Sequence, residues 1–96
     1  MNREEVLLFL RRFRENYHDQ YHIVKLGVFG SAAQDRMNEK SDLDIVVDLE
    51  KPDFFALIGI KQTLEEQLHR PVDIVRYREN MNQYLKQRID REAVYV

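Results

Sequence analysis

Residues 29–47 read Phe29-Gly30-Ser31-Ala32-Ala33-Gln34-Asp35-Arg36-Met37-Asn38-Glu39-Lys40-Ser41-Asp42-Leu43-Asp44-Ile45-Val46-Val47, and the rest of the chain is interpreted outward from them. Upstream, Ile23 to Phe29 is β-branched and aromatic and stops at Gly30, the pattern of a strand ending in a turn. Downstream, Asp42 to Leu49 is a second strand with a carboxylate-rich beginning. Gly30 to Ser41 between them is polar and loop-like, with room for one helical turn. Asp42 and Asp44 stand two apart, so on a strand both carboxylates leave the same face. Adjacent anions repel, and crowding them costs free energy unless a cation neutralises them. Hard oxygen donors without His or Cys favour Mg²⁺ or Mn²⁺. Taken singly, a DxD pair is more often a strand start with an edge charge, and Gly-Ser more often a plain turn.

On the amino-terminal side, Asn2 with Glu5 three residues on has the form of a capping box, and Val6, Phe9, Leu10, Phe13 and Tyr17 repeat at helical spacing. A helix from about Arg3 to Tyr17 follows. On the carboxyl-terminal side, Pro52-Asp53 starts a helix whose buried stripe is Leu57, Ile60, Leu64 and Leu68, and Arg70-Pro71 ends it. Gly59 inside this helix costs roughly 1 kcal/mol relative to Ala, so close packing against the sheet is expected there. Val72 to Val75 is a third, short strand, and Met81, Leu85 and Ile89 or Arg88 mark a last helix of about three turns.

The expected fold is α/β in the order αβ(loop)βαβα, a mixed three-stranded sheet flanked by helices in a single domain, residues 1–96. The segment from Asp48 to Val72 holds a whole helix, as a parallel crossover requires, whereas the loop between strands 1 and 2 need not cross the sheet. Strands 2 and 3 should therefore be parallel and strand 1 antiparallel. The end of strand 1 and the beginnings of strands 2 and 3 then share one sheet edge, where Gly30-Ser31, Asp42, Asp44 and Asp73 converge. Doubly wound nucleotide folds place ligands at the carboxyl ends of parallel strands, and GxGxxG is absent here, so that architecture is not expected.

Composition narrows the function classes. The chain of 96 residues is 44% hydrophobic and 33% charged, as in globular proteins, and it contains no cysteine, so packing must hold it together. Fifteen Lys and Arg against seventeen Asp and Glu give a net charge of −2, without the concentrated basic surface that a nucleic-acid backbone demands. Direct nucleic-acid binding is not expected. No stretch approaches a membrane-spanning length and the start lacks a secretory pattern, so a cytoplasmic location is expected. His18, His22 and His69 lack ligand-like spacing and read as surface or capping residues. The AVYV stretch at 93–96 reads equally as an interface and as packing on the chain's own sheet.

Gly30-Ser31, ten intervening residues, then Asp42-Leu43-Asp44 running into Ile45-Val46-Val47 is far more specific than its parts. It resembles the GS-x10-DxD signature of the DNA polymerase β-like nucleotidyltransferase superfamily, and the small size resembles its minimal, antitoxin-type members. The resemblance implies that Gly30 and Ser31 hold the phosphates of an NTP. It implies that Asp42, Asp44 and Asp73, the last in Val72-Asp73-Ile74-Val75, are the catalytic, metal-binding carboxylates. It further implies two Mg²⁺ ions, ATP as donor of AMP, and a hydroxyl acceptor, a tyrosine of a HEPN-family toxin silenced by the transfer. Many minimal members read GSxARG; here Ala33 matches, but Gln34 and Asp35 stand where Arg and Gly are expected. The departure bears on catalytic rate more than on fold, and Arg36 or Lys40 are the candidates to replace the missing cation. Two other readings are an idle antitoxin that neutralises its partner by binding and a transferase acting on a small hydroxylated molecule.

Overall fold

The computed structural model describes residues 1–38 and 40–96. Helix α1, Arg3–Tyr21, opens on the expected capping box: the Asn2 side chain accepts from the Glu5 amide, and Glu5 accepts from the Asn2 amide. It runs one turn beyond Tyr17. The polar His18, Asp19 and Gln20 hide this in the sequence, but Phe13, Tyr17 and Tyr21 stack at i, i+4 spacing, with centroids 4.6 and 5.8 Å apart, and carry the helix on. His22, at φ 55°, then ends it in the left-handed conformation.

Strands β1 (Ile23–Phe29), β2 (Leu43–Leu49), β3 (Val72–Arg76) and β4 (Val94–Tyr95) form one sheet in the order β3-β2-β1-β4. β2 and β3 are parallel and β1 antiparallel to β2, as the connection lengths required. The expected three strands become four because the tail folds back: Gly27 pairs with Tyr95 and Val28 with Val94. Gly27 permits this, since a Cβ there would lie 2.6 Å from the Val94 carbonyl oxygen and 2.9 Å from the Tyr95 ring. Gly27→Ala should therefore displace β4 and cost about 1 to 3 kcal/mol, read as a lowered denaturant midpoint.

Helix α2, Phe54–Leu68, begins where the Asp53 side chain accepts from the Phe55 and Ala56 amides, and it buries Ala56, Ile60 and Leu64. Leu57 and Leu68 are partly buried on the same core. Gly59 does make room for a close neighbour, but that neighbour is a helix residue: a Cβ there would stand 3.0 Å from the Tyr21 ring.

α1 and α2 cover one face of the sheet, over Leu26, Val28, Leu43, Ile45 and Val47. Helix α3, Gln83–Glu92, covers the other, with Met81 and Ile89 against Phe29 and Val46. Side chains alternate along strands, so Asp44 and Asp73 share the face of Val46 and Val75 and stand beside α3. The two flanks of α3 differ. Lys86 and Asp90 meet Tyr77, whose hydroxyl donates to Asp90 at 2.8 Å, while Arg88 and Glu92 look toward the edge where β2 and β3 begin. Among the described residues no helix is long and apolar enough to cross a membrane.

Candidate active site

The site is built on one row of the sheet. Phe29 is register partner to Asp44, and Asp44 to Asp73, so the last residue of β1 and two acids on adjacent parallel strands stand side by side. Asp42 precedes β2 on the same edge. Above them opens a cleft of about 640 Å³, lined by Gly30, Ser31, Gln34, Arg36, Lys40 and Ser41 of the loop, by all three aspartates, and by Arg88 and Glu92 of α3. Every site residue expected from the sequence lies on this cleft.

The aspartates differ in setting. Asp42 and Asp73 are exposed and Asp44 is half-buried. Burial pushes the Asp44 carboxyl above its ordinary value; the Arg88 guanidinium opposes the shift, and the charges of Asp73, Asp42 and Glu92 add to it. A half-buried carboxylate among like charges, with only oxygen donors nearby, suits a hard divalent cation. The expected three-carboxylate ligand set is not drawn together, however: among the described residues no three acids are gathered closely enough to enclose an ion. Asp73, the second residue of β3, is exposed. The donor set fits Mg²⁺ as an open, partial site.

The loop after β1 makes the helical turn that the sequence allowed. Gly30 takes φ 70°, Gln34 N–H donates to the Gly30 carbonyl at 3.2 Å, and Arg36 N–H donates to the Ser31 carbonyl at 2.8 Å. The amides of Ser31, Ala32 and Ala33 at the start of this turn have no acceptor among the described residues. Such free amides are the usual means by which backbone cradles an anion.

The two departures from the family pattern acquire physical content. Asp35, where the resemblance leads one to expect glycine, sits at φ 56°, a left-handed conformation that glycine adopts freely and aspartate tolerates. Its carboxylate accepts from the Arg3 amide at 2.9 Å, tying the loop to the start of α1. Gln34 donates to Glu92 at 3.2 Å and accepts from Arg36, so it joins the loop to α3.

Arg88 and Glu92 were missed in the sequence. Their signal was present, because residues four apart share a helix flank, but the last helix's apolar stripe could be drawn through Ile89 or Arg88. Burial of Ile89 settles the phase and turns Arg88 and Glu92 toward the acids. The histidines stay outside: His22 and His69 end α1 and α2 at φ 55° and 53°, and His18 pairs with Asp19 at 3.1 Å.

The profile of the family described as polymerase beta, nucleotidyltransferase matches residues 14–96. The chain belongs to this nucleotidyltransferase family. Protein adenylyltransferase MntA of Thermococcus cleftensis is 31% identical over 94 residues, covering 97% of this chain and 94% of that protein. A solved structure provisionally named a minimal nucleotidyltransferase superposes with a TM-score of 0.78 at 30% identity, covering 98% of this chain and 95% of the other. A chain from a Shewanella oneidensis structure, described as a tri-AMPylated HEPN toxin in complex with MNT antitoxin, superposes with a TM-score of 0.58 at 21% identity, over 88% of this chain and 69% of that one. The nucleotidyltransferase assignment accounts for acids at the amino ends of parallel strands, facing a glycine-started turn.

Proposed function

We propose that this nucleotidyltransferase moves AMP from ATP onto a tyrosine hydroxyl of a HEPN-type toxin, and thereby acts as the cytoplasmic antitoxin of the pair. The observation that carries the reading is the row Phe29–Asp44–Asp73, which sets the turn at Gly30-Ser31 beside two carboxylates on adjacent strands. The donor and the partner rest on the relatives: an adenylyltransferase by name, and a complex with an AMPylated HEPN toxin.

In this reading the triphosphate lies against Gly30-Ser31, its oxygens accepting from the Ser31 hydroxyl and the turn's amides. Asp42, Asp44 and Asp73 are the residues that would hold Mg²⁺ at this open edge. The ion supplies charge neutralisation and a lowered pKa for the acceptor hydroxyl. The tyrosine oxygen attacks the α-phosphorus, the bond to the bridging oxygen breaks, and pyrophosphate leaves. The phenol's proton passes to one of the two exposed site carboxylates, Asp42 or Asp73. A phenol starts near pKa 10 and needs less activation than an aliphatic alcohol. The surface is near neutral overall, so recognition falls to protein contacts.

Incubation with α-labelled ATP, Mg²⁺ and the product of the neighbouring gene tests the reading. Label on a partner tyrosine is the expected result. Tight binding without label favours an idle antitoxin, and label on a small hydroxylated molecule or RNA overturns the acceptor. Ser31→Ala should weaken ATP binding by about 1 to 3 kcal/mol, the worth of one hydrogen bond to a charged group, with an unchanged melting curve. Calorimetry checks it, and equal affinity would remove Ser31 from the cradle.

A further inference from the structure

The loop has no cation at position 34, and glutamine cannot replace one. We propose that Arg88 of α3 supplies the charge that grips the nucleotide's triphosphate, and that Gln34 holds Arg88 in place through Glu92. This inference rests on the nucleotide-transfer reading of the cleft and names a binding residue and a positioning residue within it.

Arg88 Nη2 lies 3.1 Å from the point a Gly30 Cβ would occupy, so the guanidinium stands directly over the start of the turn, where Gly30 and Ser31 line the cleft. Two contacts fix it there. Its Nε donates to Glu92 Oε2 at 3.3 Å, and its plane lies over the Phe29 ring, 5.4 Å from the centroid. These contacts leave the terminal nitrogens toward Gly30 and Asp44, and they are the atoms that bind phosphate oxygens bidentately.

Glu92 is the joint. Its side chain is 13% exposed, against 36% for Arg88, and its second oxygen accepts from Gln34 Nε2 at 3.2 Å. The Gln34 amide oxygen in turn accepts from Arg36. Gln34 thus uses both ends of its amide, binding Glu92 Oε1 without adding a further cation to Arg88 and Arg91, which stand 3.3 and 3.8 Å from Oε2. An arginine at position 34 would draw Glu92 away from Arg88. Glutamine at 34 and arginine at 88 are complementary choices, with the cation that position 34 lacks supplied from the facing helix, beside Arg36 and Lys40 of the loop.

The test uses the whole chain and calorimetry with inorganic tripolyphosphate, without divalent cations, alongside labelled transfer from Mg·ATP. Arg88→Gln should weaken tripolyphosphate binding by about tenfold to a hundredfold, the range for lost charge-assisted hydrogen bonds. Arg88→Lys should retain part of the affinity. Gln34→Ala should weaken binding several-fold, and adding Gln34→Arg to Arg88→Gln should recover much of the loss, because a cation re-enters from the loop. A structural role could not give that recovery. Wild-type affinity in Arg88→Gln overturns the proposal and leaves Arg88 as a counter-charge for Asp44. Loss of binding with a lowered melting temperature and no recovery by Gln34→Arg overturns it too. A wild type that binds tripolyphosphate but labels no protein overturns the proposed function alone, whereas one without tripolyphosphate affinity overturns both.

Discussion

Asp42→Asn combined with Asp44→Asn should lower nucleotide transfer by about a thousandfold or more and leave the protein at least as stable as the wild type. The loss follows from the site's chemistry: without the paired charges, of the three aspartates Asp73 alone is left to attract a cation at the edge, and terms of this kind are worth two to three orders of magnitude each. The stability follows from the same charges. Asp44 is half-buried, and its ionised form is opposed by burial and by Asp73 and Asp42, with Arg88 alone in its favour. An isosteric amide keeps the shape and removes the repulsion, so in chelator-containing buffer the melting temperature should hold or rise. A variant that loses activity while gaining stability is the mark of a site kept under strain for function. Transfer assays and thermal melts on the same preparation decide it; retained transfer, or a collapse of the melting temperature, would sink the assignment.

Gly30→Ala should also damage transfer, though less, with the opposite effect on stability. Alanine at φ 70° costs about 1 kcal/mol relative to glycine. The larger consequence is steric: its Cβ would fall 2.3 Å from Asp44 Oδ2 and 3.1 Å from Arg88 Nη2. The carboxylate must swing away, so both halves of the site move together. Transfer should fall by about a hundredfold, as for the misplacement of a reacting group by roughly an ångström, with a loss of about 1 to 3 kcal/mol in denaturant stability. Side-by-side kinetics and urea unfolding separate the two effects. A stable and active Gly30→Ala would mean that the turn and Asp44 do not touch.

The features legible in the sequence are those fixed by connection length and period. A helix between Asp48 and Val72 called for a parallel pair, the β1–β2 loop had no need to cross the sheet and so allowed an antiparallel one, and together they brought Gly30, Ser31, Asp42, Asp44 and Asp73 to one edge. What stayed hidden depended on tertiary neighbours. β4 has two residues and no periodicity, and it exists because Gly27 admits its backbone. Arg88 and Glu92 depended on a helix phase that only the burial of Ile89 settles. The space at Gly59 depended on Tyr21, in a part of α1 that the polar run after Tyr17 concealed. The left-handed turn at Asp35 is visible only as geometry, since aspartate is at home in several loop conformations.

The turn after β1 is moored on two sides, by Asp35 to the first amide of α1 and by Gln34 to Glu92 of α3. Two elements distant in sequence therefore fix its shape before any ligand arrives, and the ordering entropy of these residues is lost on folding instead of on binding. Nucleotide association should accordingly be a single kinetic phase whose rate climbs in proportion to ligand concentration, without the plateau that a slow loop closure imposes. Loosening either mooring should convert that simple encounter into a two-step process, with the dissociation rate, more than the association rate, carrying the change.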